Sequence, residues 1–248
     1  MDACEFPASI DDPRVTRQFC RRLPGADGDV TLLGVVHDHP ASVGRVERVL
    51  EAVDPERVAL ELPPAAVPLY EAYARDAAAE STRPRFGGEM SAAIRAAPDA
   101  EIVGIDAPNW SFLRRLLTRL VADRASAETA RRVVSSLGAA SREALTCRIA
   151  ATVTNATSMT VARDEHEPIE YDCSHDDPPE RQAAHERSHV AGVRALLGSV
   201  ADDGALAYRD GTREECMVDR LESLRREEGD VVAVVGIDHL ETIADELA

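Results

Sequence analysis

Two continuous apolar runs joined by an amphipathic segment set the strongest limit on what this chain can fold into. The first is Val30–Val36, which runs into Gly34-Val35-Val36-His37. The second is Val58–Leu62, which carries Glu61. Between them, Val43, Val46, Val49, Leu50 and Val53 recur at helical spacing, with Ser42 as the expected cap and Asp54-Pro55 as the stop. Uninterrupted apolar strands flanking a helix predict a βαβ unit with a parallel sheet buried on both faces. The same grammar returns near the end of the sequence. A strand over Asp230–Val235 leads into Gly236-Ile237-Asp238-His239. In open α/β sheets, ligands bind outside the carboxyl ends of the strands. Two buried strands that both run into Gly-x-x-His therefore predict one site assembled from both ends of the chain.

The remaining pattern extends this unit. Glu101–Ile105 is a further strand ending at Asp106, so three consecutive strands end at His37, Glu61 and Asp106. Helices are expected over 65–79, 91–97, 181–200 and 211–228, with a short terminal one after His239. Residues 111–162 are expected to be mostly helical, and 163–180 to form a polar loop. The expected fold class is α/β: a mainly parallel sheet built from βα units with helices on both faces, plus a mostly helical middle segment. Residues 1–29, polar with Pro and Gly, are expected to be an extension with little regular structure. Residues 30–248 then form one α/β domain, with 111–204 as an insertion-like middle segment.

Charge narrows the partners. The net charge is −17, from 45 acidic residues against 28 basic ones, and all of the basic ones are Arg. Such a surface disfavours nucleic acid, which is held by cationic contacts to phosphate, and anionic membrane surfaces. No apolar run reaches the roughly 18 residues of a membrane span, and no leader pattern is recognisable, so a cytoplasmic protein without membrane insertion is expected. A high-salt cytoplasm would screen the self-repulsion; Arg bias from GC-rich coding is the competing explanation. Five scattered Cys without a C-x-x-C pair form neither a disulfide framework nor a zinc ribbon.

Several residues could carry chemistry. His37 and His239 at strand ends, with Glu61, could hold a divalent ion, since neutral imidazole and carboxylate suit Zn, Mn, Co or Fe. Otherwise they are ordinary polar residues at loop starts. Glu61 ends an apolar strand, where a carboxylate needs a partner: a metal, a proton to move, or an Arg. Glu89 follows Gly87-Gly88 at an expected helix start, where it is either a dipole-stabilised cap or a functional acid. Asp106 is a third carboxylate or a turn cap. His185-Glu186-Arg187-Ser188-His189 matches H-E-x-x-H, in which two His on one helix face bind zinc and the Glu acts as base. Its setting reads more simply as a solvent-facing polar helix. The acidic, His-bearing stretch 166–177 reads as a solvated loop.

Taken together these phrases resemble the TraB/PrgY family, related to the Tiki proteins. The resemblance rests on Leu33-Gly34-Val35-Val36-His37 with Ser42-Val43, on 54–62 ending in Glu61-Leu62, and on Gly87-Gly88-Glu89-Met90-Ser91. It continues through Ile105-Asp106, Arg213-x-x-x-Met217 and Gly236-Ile237-Asp238-His239. It covers 30–110 and 205–245. The chain departs from the family in having Val35-Val36 where Thr-Ala is usual, in lacking an Arg shortly after Glu61, and in carrying no membrane helices of the kind that end many members.

The resemblance implies an α/β fold with functional groups along one sheet edge, at His37, Glu61, Glu89, Arg213 and His239. It implies a metal-dependent hydrolase, peptidase-like, acting on a peptide or small molecule. In that reading His37, Glu61 and His239 hold a divalent ion (Mn, Co, Zn or Fe). Glu61 or Glu89 serves as general base, and Arg213 steadies negative charge. The alternatives are a non-catalytic module that binds a ligand or peptide in the same crevice, and the H-E-x-x-H zinc protease. A homo-oligomer is compatible with the sequence.

Overall fold

A computed structural model describes residues 6–75, 86–106, 171–197 and 204–248, besides the isolated Thr118 and Thr146. The helices expected over 111–162 lie outside the described residues, as do Cys4 and Cys147. In chain order the elements are β1 (Cys20–Leu23), β2 (Val30–Val35), α1 (Pro40–Val53), β3 (Arg57–Leu60), α2 (Val67–Arg75), α3 (Gly88–Ala96) and β4 (Glu101–Gly104). After the middle of the chain come α4 (Pro179–Leu197), α5 (Gly204–Arg225), β5 (Val231–Gly236) and α6 (Ile237–Leu247).

The five strands lie in the order β1-β2-β5-β3-β4. All pairs are parallel except β1 with β2. The fold is therefore α/β with a mostly parallel mixed sheet. β5 sits between β2 and β3, with Val30, Val231 and Arg57 level across the three strands. β2, β3 and most of β5 are buried along their whole length, which is why they appear in the sequence as unbroken apolar runs.

Crossover handedness places the helices. The connections β2-α1-β3 and β3-α2-α3-β4 both step toward the β4 edge, whereas the return to β5 steps back. Right-handed crossovers then put α1 to α3 on one face and α5 on the other. The packing agrees: α1 and α2 contact α3, while α5 contacts α6, which lies over β2 and β1. Gly34 makes that last contact possible, because a Cβ there would stand 2.8 Å from Ile237 and 2.9 Å from Leu240. α4 docks on α1.

The N-terminal stretch departs from expectation. Residues 6–23 are not a loose extension: β1 forms the antiparallel edge, and Phe6, Ile10, Val15 and Phe19 enter the core. β1 carries no clear apolar alternation because only its first residue, Cys20, is buried. Its Arg22 is held by Asp29 at 2.8 Å and Asp230 at 3.0 Å, and charge on an edge strand discourages further pairing. The cap of α1 also differs. His39, not Ser42, is the N-cap, its Nδ1 accepting from the Ala41 N–H at 3.1 Å, and Pro40 opens the helix. Among the described residues, no helix is long and apolar enough to cross a membrane.

Candidate functional site

The carboxyl ends of β2, β3, β4 and β5 carry the expected side chains to one edge of the sheet. His37 follows β2, in the loop before α1, with its side chain largely in solvent. Its Nδ1 lies 2.7 Å from Glu89 Oε1. The second oxygen of Glu89 accepts the Asp38 N–H at 2.9 Å. Glu89 itself is buried, in the first turn of α3. A carboxylate only accepts, so the His37 proton sits on Nδ1. The hydrogen bond to Glu89, then its charge, raise the His37 pKa to about 9, so the imidazole is protonated at neutral pH.

The two glycines before Glu89 allow this approach. Gly87 and Gly88 have positive φ, and a Cβ on Gly88 would meet the Asp38 carboxylate at 2.0 Å. Asp38 is itself left-handed, with φ of 56°. The Gly-Gly pair thus lets the start of α3 close against the His37 loop. The cap and site readings of Glu89 merge, because it lies in the first turn and holds His37.

A second group forms at the neighbouring strand ends. Arg213, on α5, donates from Nε to Asp106 at 2.9 Å and from a terminal nitrogen to Asp106 and Glu61, both at 2.8 Å. Burial lowers the Arg213 pKa, but the Asp106 hydrogen bond and the charges of Asp106, Glu61 and Asp210 outweigh it and the guanidinium stays charged. The other Glu61 oxygen accepts the Gly236 N–H at 2.6 Å, pinning β3 to the end of β5. His239, in the first turn of α6, sets Nδ1 2.8 Å from Glu214 on α5 and Nε2 3.5 Å from Glu61. The charge of Glu61 also reaches His37. The edge therefore gathers His37, Glu61, Glu89, Asp106, Arg213 and His239. Glu214, which was not among the candidates read from the sequence, joins them.

The ligand set expected for a divalent ion does not fit this arrangement. A guanidinium 2.8 Å from Glu61 opposes a dication on the same carboxylate. Among the described residues, no group of three or more His, Cys, Asp or Glu is placed to hold a metal ion.

H-E-x-x-H lies on α4, and it is neither a zinc protease site nor a solvated helix. Gln182, Ala183, Glu186 and Val190 form the buried face of α4. Glu186 is fully buried, pairs with Arg45 and accepts from Ser42 Oγ at 2.5 Å, so it has no base to offer. Arg45 also donates to the carbonyls of Arg14 and Gly34, at 2.7 Å each. His185 and His189 face His39 and Tyr171. His185 Nδ1 lies 2.9 Å from His39 Nε2. Because His39 Nδ1 accepts from a backbone N–H, its proton sits on Nε2, which is the wrong tautomer for ligation there. Burial pushes the His39 pKa down to about 3 and keeps it neutral. Tyr171 donates its hydroxyl to the His37 carbonyl at 2.8 Å, so one residue of the described part of the expected loop braces the site.

No protein-family model, curated protein or solved structure matches this chain.

Proposed function

We propose that this chain is a hydrolase acting on a peptide or peptide-like substrate at the carboxyl edge of its sheet. One observation carries the reading: two imidazoles from opposite ends of the chain, each anchored through Nδ1 on a carboxylate, flank an Arg held by two more carboxylates. The motif resemblance to the TraB/PrgY family points the same way.

The two imidazoles suit opposite halves of a proton-transfer cycle. Glu214 fixes the proton of His239 on Nδ1, which leaves the lone pair of the neutral ring on Nε2, facing Glu61. That nitrogen takes a proton from water as the water oxygen bonds to the carbonyl carbon. Arg213 NH1, 4.0 Å from Asp210, keeps donors for the oxyanion that develops. His37, held protonated by Glu89, gives its Nε2 proton to the leaving nitrogen as the C–N bond breaks. In this reading Glu89 and Glu61 act through His37 and Arg213 and are positioning residues, in place of the general-base role expected for them.

The test is a screen of fluorogenic peptides in high salt, with wild type, His37→Ala and His239→Ala. Turnover should fall by about 100-fold or more in each variant, the scale of a lost acid or base. It should persist in EDTA. Equal turnover in all three proteins removes the mechanism. Ligand binding with no turnover in any of them would support the binding module instead, a reading favoured by the full engagement of Glu61 and Asp106 with Arg213.

A further inference from the structure

β4 is the outer strand of the sheet, and its far side is unpaired by any other described strand. The parallel register sets which of its backbone groups look outward. Glu101 and Ile105 donate inward, to the carbonyls of Glu56 and Leu60, both at 2.9 Å. By strand alternation, Ile102 and Gly104 turn their N–H and C=O groups to the open edge. A groove of about 400 Å³ runs along that edge, walled by Pro64, Val67 and Pro68 from the segment that leads into α2. Its carboxyl end is Asp106, which is bonded to Arg213.

The groove also contains an unspent charge. Arg220 of α5 lines it, is exposed, and has no hydrogen bond or ion pair among the described residues. Arg14, Arg22, Arg45 and Arg213 all sit on carboxylates. An exposed guanidinium beside unpaired strand backbone is the signature of a site that reads an extended chain by main-chain hydrogen bonds and one acidic group by charge.

We propose that the β4 edge binds an extended peptide as an added strand, with an acidic residue or terminal carboxylate of that peptide on Arg220. This deepens the hydrolase reading and rests on it for the identity of the bound peptide as substrate. A chain paired with Ile102 and Gly104 continues past Asp106 to Arg213, so the edge delivers the scissile bond to the charged end of the groove. Substrate choice then follows from two features: a stretch able to adopt β conformation without Pro at the bonding positions, and an acid at the depth of Arg220.

The probe is a blocked, alternating Val-Thr peptide carrying a single Asp, compared with the same peptide carrying Lys there. Binding is measured on the full chain at about 0.1 M salt, where a Debye length of about 10 Å damps the protein's net charge but leaves a contact ion pair in force. Amide exchange at Ile102 and Gly104 is followed in parallel. In free protein both amides should exchange readily, and the Asp peptide should protect them. It should bind about fivefold more tightly than the Lys peptide, the upper range for an exposed ion pair. Arg220→Glu should reverse the preference and Arg220→Ala should abolish it. Both changes are on the surface, and thermal unfolding checks that they leave the fold intact. Amides already protected in free protein would show the edge to be covered by this chain itself and would overturn the proposal. So would an added peptide that protects neither amide, or an unchanged preference in Arg220→Glu. Binding with protection in wild type and His37→Ala, but no turnover in either, would overturn the hydrolase reading while the edge site stands. Turnover without protection at β4 would do the reverse.

Discussion

Glu186 of α4 and Arg45 of α1 form an ion pair in which both side chains are wholly buried. It is the joint between the helix that carries H-E-x-x-H and the first βα unit. The guanidinium also stacks 4.0 Å above the ring of Phe19, the residue before β1, so the entry to β1, α1 and α4 meet at one residue.

Breaking one side of such a pair strands a charge in a low-dielectric interior, which costs about 3–5 kcal/mol. Glu186→Ala is therefore expected to lower stability by that amount in denaturant unfolding, and Arg45→Met by a similar amount. The two together should cost less than the sum, because neither charge is then left alone. Had Glu186 been a zinc-site base, its Ala variant would unfold like wild type, and that result would return H-E-x-x-H to the chemistry.

The His37–Glu89 pair makes a pH prediction with a definite sign. The folded pKa of about 9 lies above the ordinary 6.5, so the folded state binds the proton more tightly than the unfolded chain. The pair's contribution is complete below about 6.5 and disappears as pH rises through 9. Glu89→Gln keeps the shape and removes the charge. An NMR titration should then find the His37 imidazole back near its ordinary range, and the loss of stability between neutral and alkaline pH should flatten. A His37 that still titrates near 9 in Glu89→Gln would assign the shift to other groups.

Arg213 is expected to tolerate no replacement. Its planar fork meets Asp106 through two nitrogens while reaching Glu61 with one of them. Arg213→Met leaves two largely buried carboxylates side by side, which should cost about 3 kcal/mol or more. Arg213→Lys restores a charge but not the fork, so it should recover stability in part and leave any turnover near the level of Arg213→Met. Thermal unfolding and the peptide screen on both variants check this; full recovery by Lys would reduce Arg213 to a point charge.

Much of this was legible before the structure, and the limits have physical causes. β2, β3 and β5 are buried on both faces, so burial wrote them into the sequence as apolar runs, and their ends marked His37, Glu61 and His239. β1 was not visible because only the first of its four residues, Cys20, is buried, so burial left no apolar run to read. The partners of the site were hidden for another reason. Pairings such as His37 with Glu89, or Arg213 with Asp106, link residues far apart in sequence, and the first depends on the backbone geometry of Gly87 and Gly88. Glu186 shows the converse hazard: a five-residue pattern with a known chemistry can lie on a helix whose Glu faces the core. For the residues of 107–170 outside the described part, the expected helices stand as expectations.

The acidic surface gives the last prediction, because two electrostatic terms oppose each other. Specific pairs such as Arg22 with Asp29 and Asp230 stabilise the fold and weaken with salt. The net charge of −17 repels itself over longer distances and destabilises the compact state. Screening acts on the long-range term first: the Debye length falls from about 10 Å at 0.1 M to about 3 Å at 1 M, while pairs in contact at hydrogen-bond distance, and buried ones above all, are screened much less. The repulsive term should therefore dominate the salt response. The thermal midpoint is expected to rise as potassium chloride is increased across that range, and to fall on dialysis into dilute buffer. A midpoint that falls with added salt would show instead that the surface pairs outweigh the net charge, and that an abundance of acids over Arg does not by itself make this chain a high-salt protein.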